Sequence, residues 1–247
     1  MSERTGPRRS REEVLVEELA RKSRELDAFS HSVSHDLRAP LHVITGFSDV
    51  LLEDHGAALG EEGRRHLALI REASQRMSRL IEALAELSRL GNADLERAPL
   101  DLSQLARAIG EDVLKREGRQ VELVVQPGLI ANADAGLVRV ALEQLFANAW
   151  KFTARCANPR VEVRGERDAD GEDVYSVRDN GVGFDMAYAH RLFAPFQRLH
   201  PDREYPGVGV GLATVQRIVG RHGGRAWAEA APGVGASVFF TLPGPPR

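Results

Sequence analysis

The stretch Phe29-Ser30-His31-Ser32-Val33-Ser34-His35-Asp36-Leu37-Arg38-Ala39-Pro40-Leu41 mixes helix-spaced apolar residues with a set of reactive and polar ones. Upstream, Leu15, Leu19 and Leu26 continue the apolar row through Phe29, Val33 and Leu37 at steps of four, seven, three, four and four, with Lys22 as an interruption. That spacing drifts only slowly around a helix and makes a packing seam. His35 lies beside the seam. A neutral imidazole is a nucleophile when one ring nitrogen is free and the proton on the other can be accepted. Asp36 is placed to accept it, and Arg38 to neutralise an anion. Pro40 has no amide hydrogen, so the carbonyl of Asp36 loses its helical partner and a bend is expected there. A histidine alone means little, since the chain has eight and His31 sits one turn away. The acid, base and proline at fixed offsets single out His35.

Asp54-His55-Gly56 breaks this helix, and Gly60 and Gly63 flank the start of another. In the second, Ile70, Ala73, Met77, Leu80, Leu84, Leu87 and Gly91 alternate steps of three and four. A two-helix hairpin cannot cover both stripes by itself, so a homodimer closing a four-helix bundle is expected. The competing arrangement is a monomeric hairpin packed on the second half of the chain.

After Gly91 the period changes. Asn92 to Pro99 is a polar linker, and from Leu100 onward helical and strand patterns alternate. Ser103 is expected to cap a helix to about Glu117, Val121–Val125 reads as a strand ended by Pro127-Gly128, and Asp134 caps a helix through about Lys151. Val161–Arg167 and Val174–Val177 flank the turn Asp168-Ala169-Asp170-Gly171 as a hairpin. A helix from Gly211 to His222 and strands near Ala226–Glu229 and Ser237–Leu242 complete an α/β sandwich. The expected domains are a disordered leader (1–11), a helical hairpin (12–91), a linker (92–99), an α/β domain (100–243) and a short tail (244–247).

On the helix after Asp134, Gln144, Asn148 and Lys151 share one face. An amide carbonyl is a hard ligand for Mg²⁺, and a lysine suits phosphate. Asp179-Asn180-Gly181-Val182-Gly183-Phe184 follows a strand. Its glycines allow a tight turn against a planar ligand, and its carboxylate can accept the amino hydrogens of adenine. Gly207-Val208-Gly209-Val210-Gly211-Leu212 opens a helix whose free amides can receive phosphate. It is not a P-loop, because no Lys-Ser/Thr follows, and no strand precedes it as a dinucleotide fingerprint requires.

The run Phe29–Leu41 resembles the phosphoacceptor box of sensor histidine kinases. The asparagine helix, both glycine motifs and the aromatic segment Leu192-Phe193-Ala194-Pro195-Phe196-Gln197-Arg198 follow in that family's order, from about Leu26 to Leu242. The resemblance implies a multidomain chain, an all-α dimerising hairpin before a Bergerat-type ATP-binding α/β sandwich like those of gyrase and the ninety-kilodalton heat-shock chaperone. It implies that His35 is phosphorylated with Asp36 as acid/base partner. It also implies that Asn148 holds Mg²⁺, Lys151 and Arg198 meet phosphates, Asp179 reads adenine, and Gly181, Gly183, Gly207, Gly209 and Gly211 with Leu212 shape pocket and lid. The implied cofactors are ATP and Mg²⁺. The implied partners are a second copy, the receiver domain of a response regulator, and an upstream sensor module or partner acting through the N-terminal helix.

Three positions depart from the family pattern. Gln144 stands where many members carry Asn and the ATPase relatives a water-activating Glu; a neutral amide is a poor base, so ATP should be shielded from water. Glu143 is about a hundred degrees away around the helix. Val208 replaces a frequent Thr. Ala39 replaces the Thr or Asn that positions water for dephosphorylating the regulator, so weak phosphatase activity is expected. Residues 184–206, with Pro195, Pro201 and Pro206, read as a mobile lid.

Composition narrows the alternatives. A formal charge of -3 supports neither nucleic-acid nor anionic-membrane binding. No apolar run approaches the ~18–20 residues of a membrane helix, and the N-terminus lacks a signal-peptide core. The single cysteine, Cys156, excludes an internal disulfide and fits the reducing cytoplasm. A non-catalytic ATP-binding scaffold remains the alternative, opposed by intact His35, Asp36, Asn148 and Asp179. A chaperone-like ATPase is opposed by Gln144.

Overall fold

The computed structural model describes residues 11–92, 95–201 and 203–244. Most of the expected leader, part of the linker and most of the tail lie outside the described residues, as do the side chains of Leu15, Leu19, Leu26, Phe29 and His31. The chain divides after Asn92 into two compact units.

The first unit is a hairpin of α1 (Arg11–His55) and α2 (Gly60–Asn92). Pro40 lies inside α1, which continues past it to His55. The turn uses Gly56, where a Cβ would fall 2.4 Å from the Leu52 carbonyl oxygen, and Gly60 at φ +65°. Where α1 meets α2 most of the buried residues are small, with Leu41 and Leu87 as the large ones. Ser34, Leu41 and Ser48 recur every seven residues on α1, and Ser74, Ala85, Leu87 and Ser88 are buried on α2. The Ser34 and Ser48 hydroxyls donate back to the Ser30 and Ile44 carbonyls at 2.6 and 2.7 Å, which satisfies both within their own helix. Larger apolar side chains face outward: Leu37, Ile44 and Leu51 form a second heptad row, and Phe47 is 66% exposed. Ile70 and Met77, members of the row recognised in the sequence, are exposed on α2. The hairpin therefore packs along a serine-lined stripe and leaves its bulky stripe uncovered.

The second unit is a three-helix layer on a five-stranded sheet. Its elements are β1 (Ala98–Asp101), α3 (Leu102–Glu117), β2 (Glu122–Val125), β3 (Ile130–Ala133), α4 (Ala135–Phe152), β4 (Arg160–Arg167), β5 (Asp173–Asp179), α5 (Gly211–Arg221), β6 (Ala226–Ala231) and β7 (Gly235–Thr241). The sheet order is β2-β4-β5-β7-β6, with β2 parallel to β4 and all other neighbours antiparallel. Alternation sets the inner face: Val161, Val163 and Val177 point to the helices and meet Phe146, Leu142, Ile109, Val215 and Ile218, all essentially without solvent contact. Burial of such side chains contributes about 1.5–3 kcal/mol each.

Two expectations are corrected. Ser103 does not cap α3; Asp101 does, accepting from the Gln104 N–H at 2.8 Å. The Ser103 hydroxyl instead bridges the loop below, donating to the Gln126 carbonyl and accepting from the Leu129 N–H. Ala98 and Pro99, read as linker, belong to β1, which pairs antiparallel with β3 in a separate two-stranded sheet. Asp134 does cap α4, accepting from the Leu137 N–H at 3.0 Å. Burial opposes its ionisation, but the N–H groups of Leu137, Glu96 and Gly136 outweigh this and hold the carboxyl below its ordinary range.

His222, at the end of α5, is fully buried. Its Nδ1–H donates to the Ile218 carbonyl at 2.8 Å and its Nε2 accepts the Asp134 N–H at 3.0 Å, so the neutral ring ties α5 to the start of α4. Burial, helped by Arg97 and Arg221, pushes its pKa down. The unfolded chain then takes up a proton that the folded chain refuses, so this contribution is complete above the ordinary histidine pKa and is lost as pH falls towards the depressed value. Between pH 7.5 and 5.5 the melting temperature of the wild type should fall further than that of His222→Gln, measured by calorimetry. Parallel curves would refute it.

Candidate functional site

Between α4, the ends of β5 and β7 and the segment 184–212 lies a cavity of about 380 Å³. Asn148, Lys151, Asp179, Gly183, Arg198, Gly207, Gly209, Gly211 and Leu212 all line it, together with Gln144. The face of α4 predicted to be polar is the one turned to the cavity, because Leu142, Leu145 and Phe146 are taken up by the core.

Asp179 ends β5 and is 8% exposed. Its Oδ1 accepts the Gly181 N–H at 2.8 Å. Burial raises its pKa to about 6, against the Gly181 and Ala236 N–H groups and the Arg178 charge, which lower it. Gly181 is not part of the cavity lining but holds this carboxylate; a Cβ there would sit 2.6 Å from the Phe152 carbonyl oxygen. At Gly183, φ is +60° and a Cβ would lie 2.1 Å from the Ala231 carbonyl oxygen.

At the other end, Val210 precedes α5 and has no oxygen to cap it, so the first-turn N–H groups of α5 have no side-chain acceptor. Gly211 begins that turn against α4: a Cβ would lie 2.9 Å from Gln144 Oε1 and 3.5 Å from Asn148 Nδ2. Lys151 Nζ stands 3.5 Å from the corresponding point on Gly207. The cavity is thus acidic and deep at Asp179, and rich in N–H groups and cations near Lys151, Arg198 and α5. Glu143 points elsewhere, 3.9 Å from Arg139.

Among its described residues the segment 184–206 contains a 3-10 helix, Met186–Arg191, and is otherwise turns, bends and irregular backbone. Phe196 adopts φ +62°, the only non-glycine residue with positive φ among the described residues, and its N–H donates to the Gly209 carbonyl at 2.8 Å. Among the cavity residues that escaped the sequence reading are three rings, Phe152, His200 and Tyr205. Phe152 directly follows Lys151, whereas His200 and Tyr205 each directly precede a proline, Pro201 and Pro206, in a stretch with no helical or strand periodicity to mark them.

His35, Asp36 and Arg38 belong to the helical unit and are exposed on α1. His35 Nδ1 lies 3.2 Å from Asp36 Oδ1, and the two side chains are 78% and 76% exposed. Ala39, also exposed, adds no polar side-chain atom beside them.

Residues 25–93 match the His Kinase A (phospho-acceptor) domain, and residues 133–246 match the histidine kinase-, DNA gyrase B-, and HSP90-like ATPase domain. Cyanobacterial phytochrome B of Nostoc sp. is 35% identical over 91% of this chain, which spans 30% of that protein. The methanogenesis regulatory histidine kinase FilI of Methanothrix harundinacea is 38% identical over 93% of the chain, which spans 26% of it. Among solved structures, full-length ShkA in complex with AMPPNP aligns with a TM-score of 0.60 and 28% identity, covering 87% of this chain and 45% of that one. The mycobacterial sensor histidine kinase MprB aligns over 61% of this chain and 100% of its own with a TM-score of 0.52. Among the described residues no helix is long and apolar enough to cross a membrane. A helical phosphoacceptor unit followed by an ATP-binding α/β unit, matched in both parts and in that order, places this chain in the family of sensor histidine kinase transmitters.

Proposed function

We propose that this chain transfers the γ-phosphoryl group of ATP to His35 and then passes it to an aspartate of a response regulator. The observation that carries the proposal is the convergence of Asp179, Asn148, Lys151, Arg198 and the uncapped start of α5 on one cavity. A buried carboxylate suits the adenine amino group; the uncapped amides and two cations suit the triphosphate. The Asn148 side-chain carbonyl, a hard oxygen donor on the cavity wall, would hold Mg²⁺, which would supply positive charge against the triphosphate. The donor set fits that use, because a single amide carbonyl leaves the ion's remaining positions to phosphate oxygens and water.

With Nδ1–H donating to Asp36, the His35 Nε2 lone pair is the nucleophile. Nε2 forms the bond to phosphorus as the bond to the β,γ-bridging oxygen breaks, ADP leaves with that electron pair, and Asp36 takes the Nδ1 proton. Gln144, an amide beside Asn148, cannot deprotonate water, which disfavours hydrolysis. The uncovered apolar stripe of the hairpin supports dimerisation into a four-helix bundle. Incubation of the wild-type chain with γ-labelled Mg-ATP should yield protein-bound label that is acid-labile and base-stable. Label stable to acid would refute the assignment.

Ala39 gives a second expectation. A receiver phosphorylated on aspartate should decay at a rate changed less than about twofold by adding this protein, whereas Ala39→Thr, by supplying a hydroxyl beside His35, should accelerate decay. Rapid decay with the wild type would count against it.

A further inference from the structure

We propose that Phe152, His200 and Tyr205 form a ring latch that sets how long a nucleotide remains in the cavity. The inference rests on reading that cavity as the ATP site. Phe152 is the last residue of α4, whereas His200 and Tyr205 belong to the irregular segment before the second glycine motif. Ring centroids are separated by 5.4 Å for Phe152–His200, 5.2 Å for Phe152–Tyr205 and 5.3 Å for His200–Tyr205, all tilted, so each ring touches both others. All three line the cavity.

The same short segment is tied down at further points. His200 Nε2 lies 3.0 Å from the Gly183 carbonyl oxygen, reaching the first glycine motif. Arg155, just beyond α4, pairs with Glu204 at 2.9 Å and lies over the Tyr205 ring at 5.5 Å. Both cations of the phosphate end are coupled to the cluster: Lys151 Nζ is 4.5 Å from the Phe152 ring centre, and Arg198 donates to the Tyr205 carbonyl at 2.9 Å. Opening the segment to release a ligand would separate His200 and Tyr205 from Phe152 and disturb both cations together. The Arg191–Gln197 side-chain contacts in the same segment are exposed and contribute little by comparison.

The Tyr205 hydroxyl indicates which part of the side chain acts. It is buried and has no hydrogen-bond partner among the described residues, and the residue is only 4% exposed. A stranded hydroxyl adds nothing to closure, so the ring carries the contact and phenylalanine should serve as well.

The experiment follows release of N-methylanthraniloyl-ATP with Mg²⁺ from the full chain by stopped-flow chase with unlabelled ATP, alongside melting temperatures. His200→Ala, at a half-buried position, and Tyr205→Leu should each release the nucleotide about tenfold faster, the size expected for losing two ring contacts. Tyr205→Phe should stay within about twofold of wild type. In a Phe152→Leu background, His200→Ala should add little further. Unchanged release in thermally intact His200→Ala and Tyr205→Leu overturns the latch while leaving the ATP reading in place. A wild-type chain that binds no nucleotide overturns both.

Discussion

Replacing His35 with glutamine should remove all acid-labile label, a loss of at least about a thousandfold that reaches the detection limit. An amide nitrogen has its lone pair delocalised and cannot attack phosphorus, while the shape of the side chain is roughly kept. Because the His35 side chain is 78% exposed, the change should alter stability by no more than about 0.5 kcal/mol. Nucleotide affinity should also stay within about twofold, since none of the cavity's lining residues is touched. That combination separates loss of the acceptor from loss of ATP binding. Asn148→Ala should show the reverse, with label lost because the nucleotide and its metal ion are no longer held. Asp36→Asn should retain slow labelling, down about a hundredfold, because the imidazole survives without its proton acceptor. Label persisting in His35→Gln would move the phosphorylation site elsewhere.

Asp179→Asn should lose nucleotide affinity by about a hundredfold and yet melt at a higher temperature. The two effects share one cause. Burial holds the carboxyl at about 6 instead of its ordinary 3.8, so the folded chain binds a proton more readily than the unfolded one. Stability is then greatest at low pH and declines as pH rises through the folded value, a cost of about 3 kcal/mol at neutrality. Asparagine carries no charge and can still accept the Gly181 N–H, so much of that cost disappears and the melting temperature should rise by about 5 °C. The amide also presents an NH₂ group that faces adenine's amino hydrogens with the wrong polarity. In the wild type, nucleotide affinity should fall as pH drops below about 6, where protonation removes an acceptor. Titration calorimetry and scanning calorimetry on the same samples check both halves; a variant that binds within threefold of wild type sinks the adenine assignment.

Much of this was legible because the signals are local and repeated. Gln144, Asn148 and Lys151 fall on one face by helical geometry alone, and the core takes the opposite face. The Asp168–Gly171 turn announces its hairpin through turn chemistry. What was missed depends on distant partners. β1 contains a proline and β3 reads Ile-Ala-Asn-Ala; neither has strand propensity, and each exists because the other pairs with it. Ser103 has the chemistry of a cap, but Asp101 stands in the capping position and leaves its hydroxyl to the loop at Gln126 and Leu129. His200 and Tyr205 gained meaning only when the fold brought them to Phe152.

The serine-lined stripe between α1 and α2 bears on how motion can pass along the hairpin. Ser34 and Ser48 on one helix and Ser74 and Ser88 on the other cut shallow teeth, between which Leu41 and Leu87 are the deeper ones. Leu37, Ile44, Phe47 and Leu51 on the outer stripe cut deep ones. Torque applied at the N-terminal end of α1 would meet its strongest detents against whatever covers the outer stripe, giving discrete angular stops there. His35, two residues before Leu37, would turn with those stops.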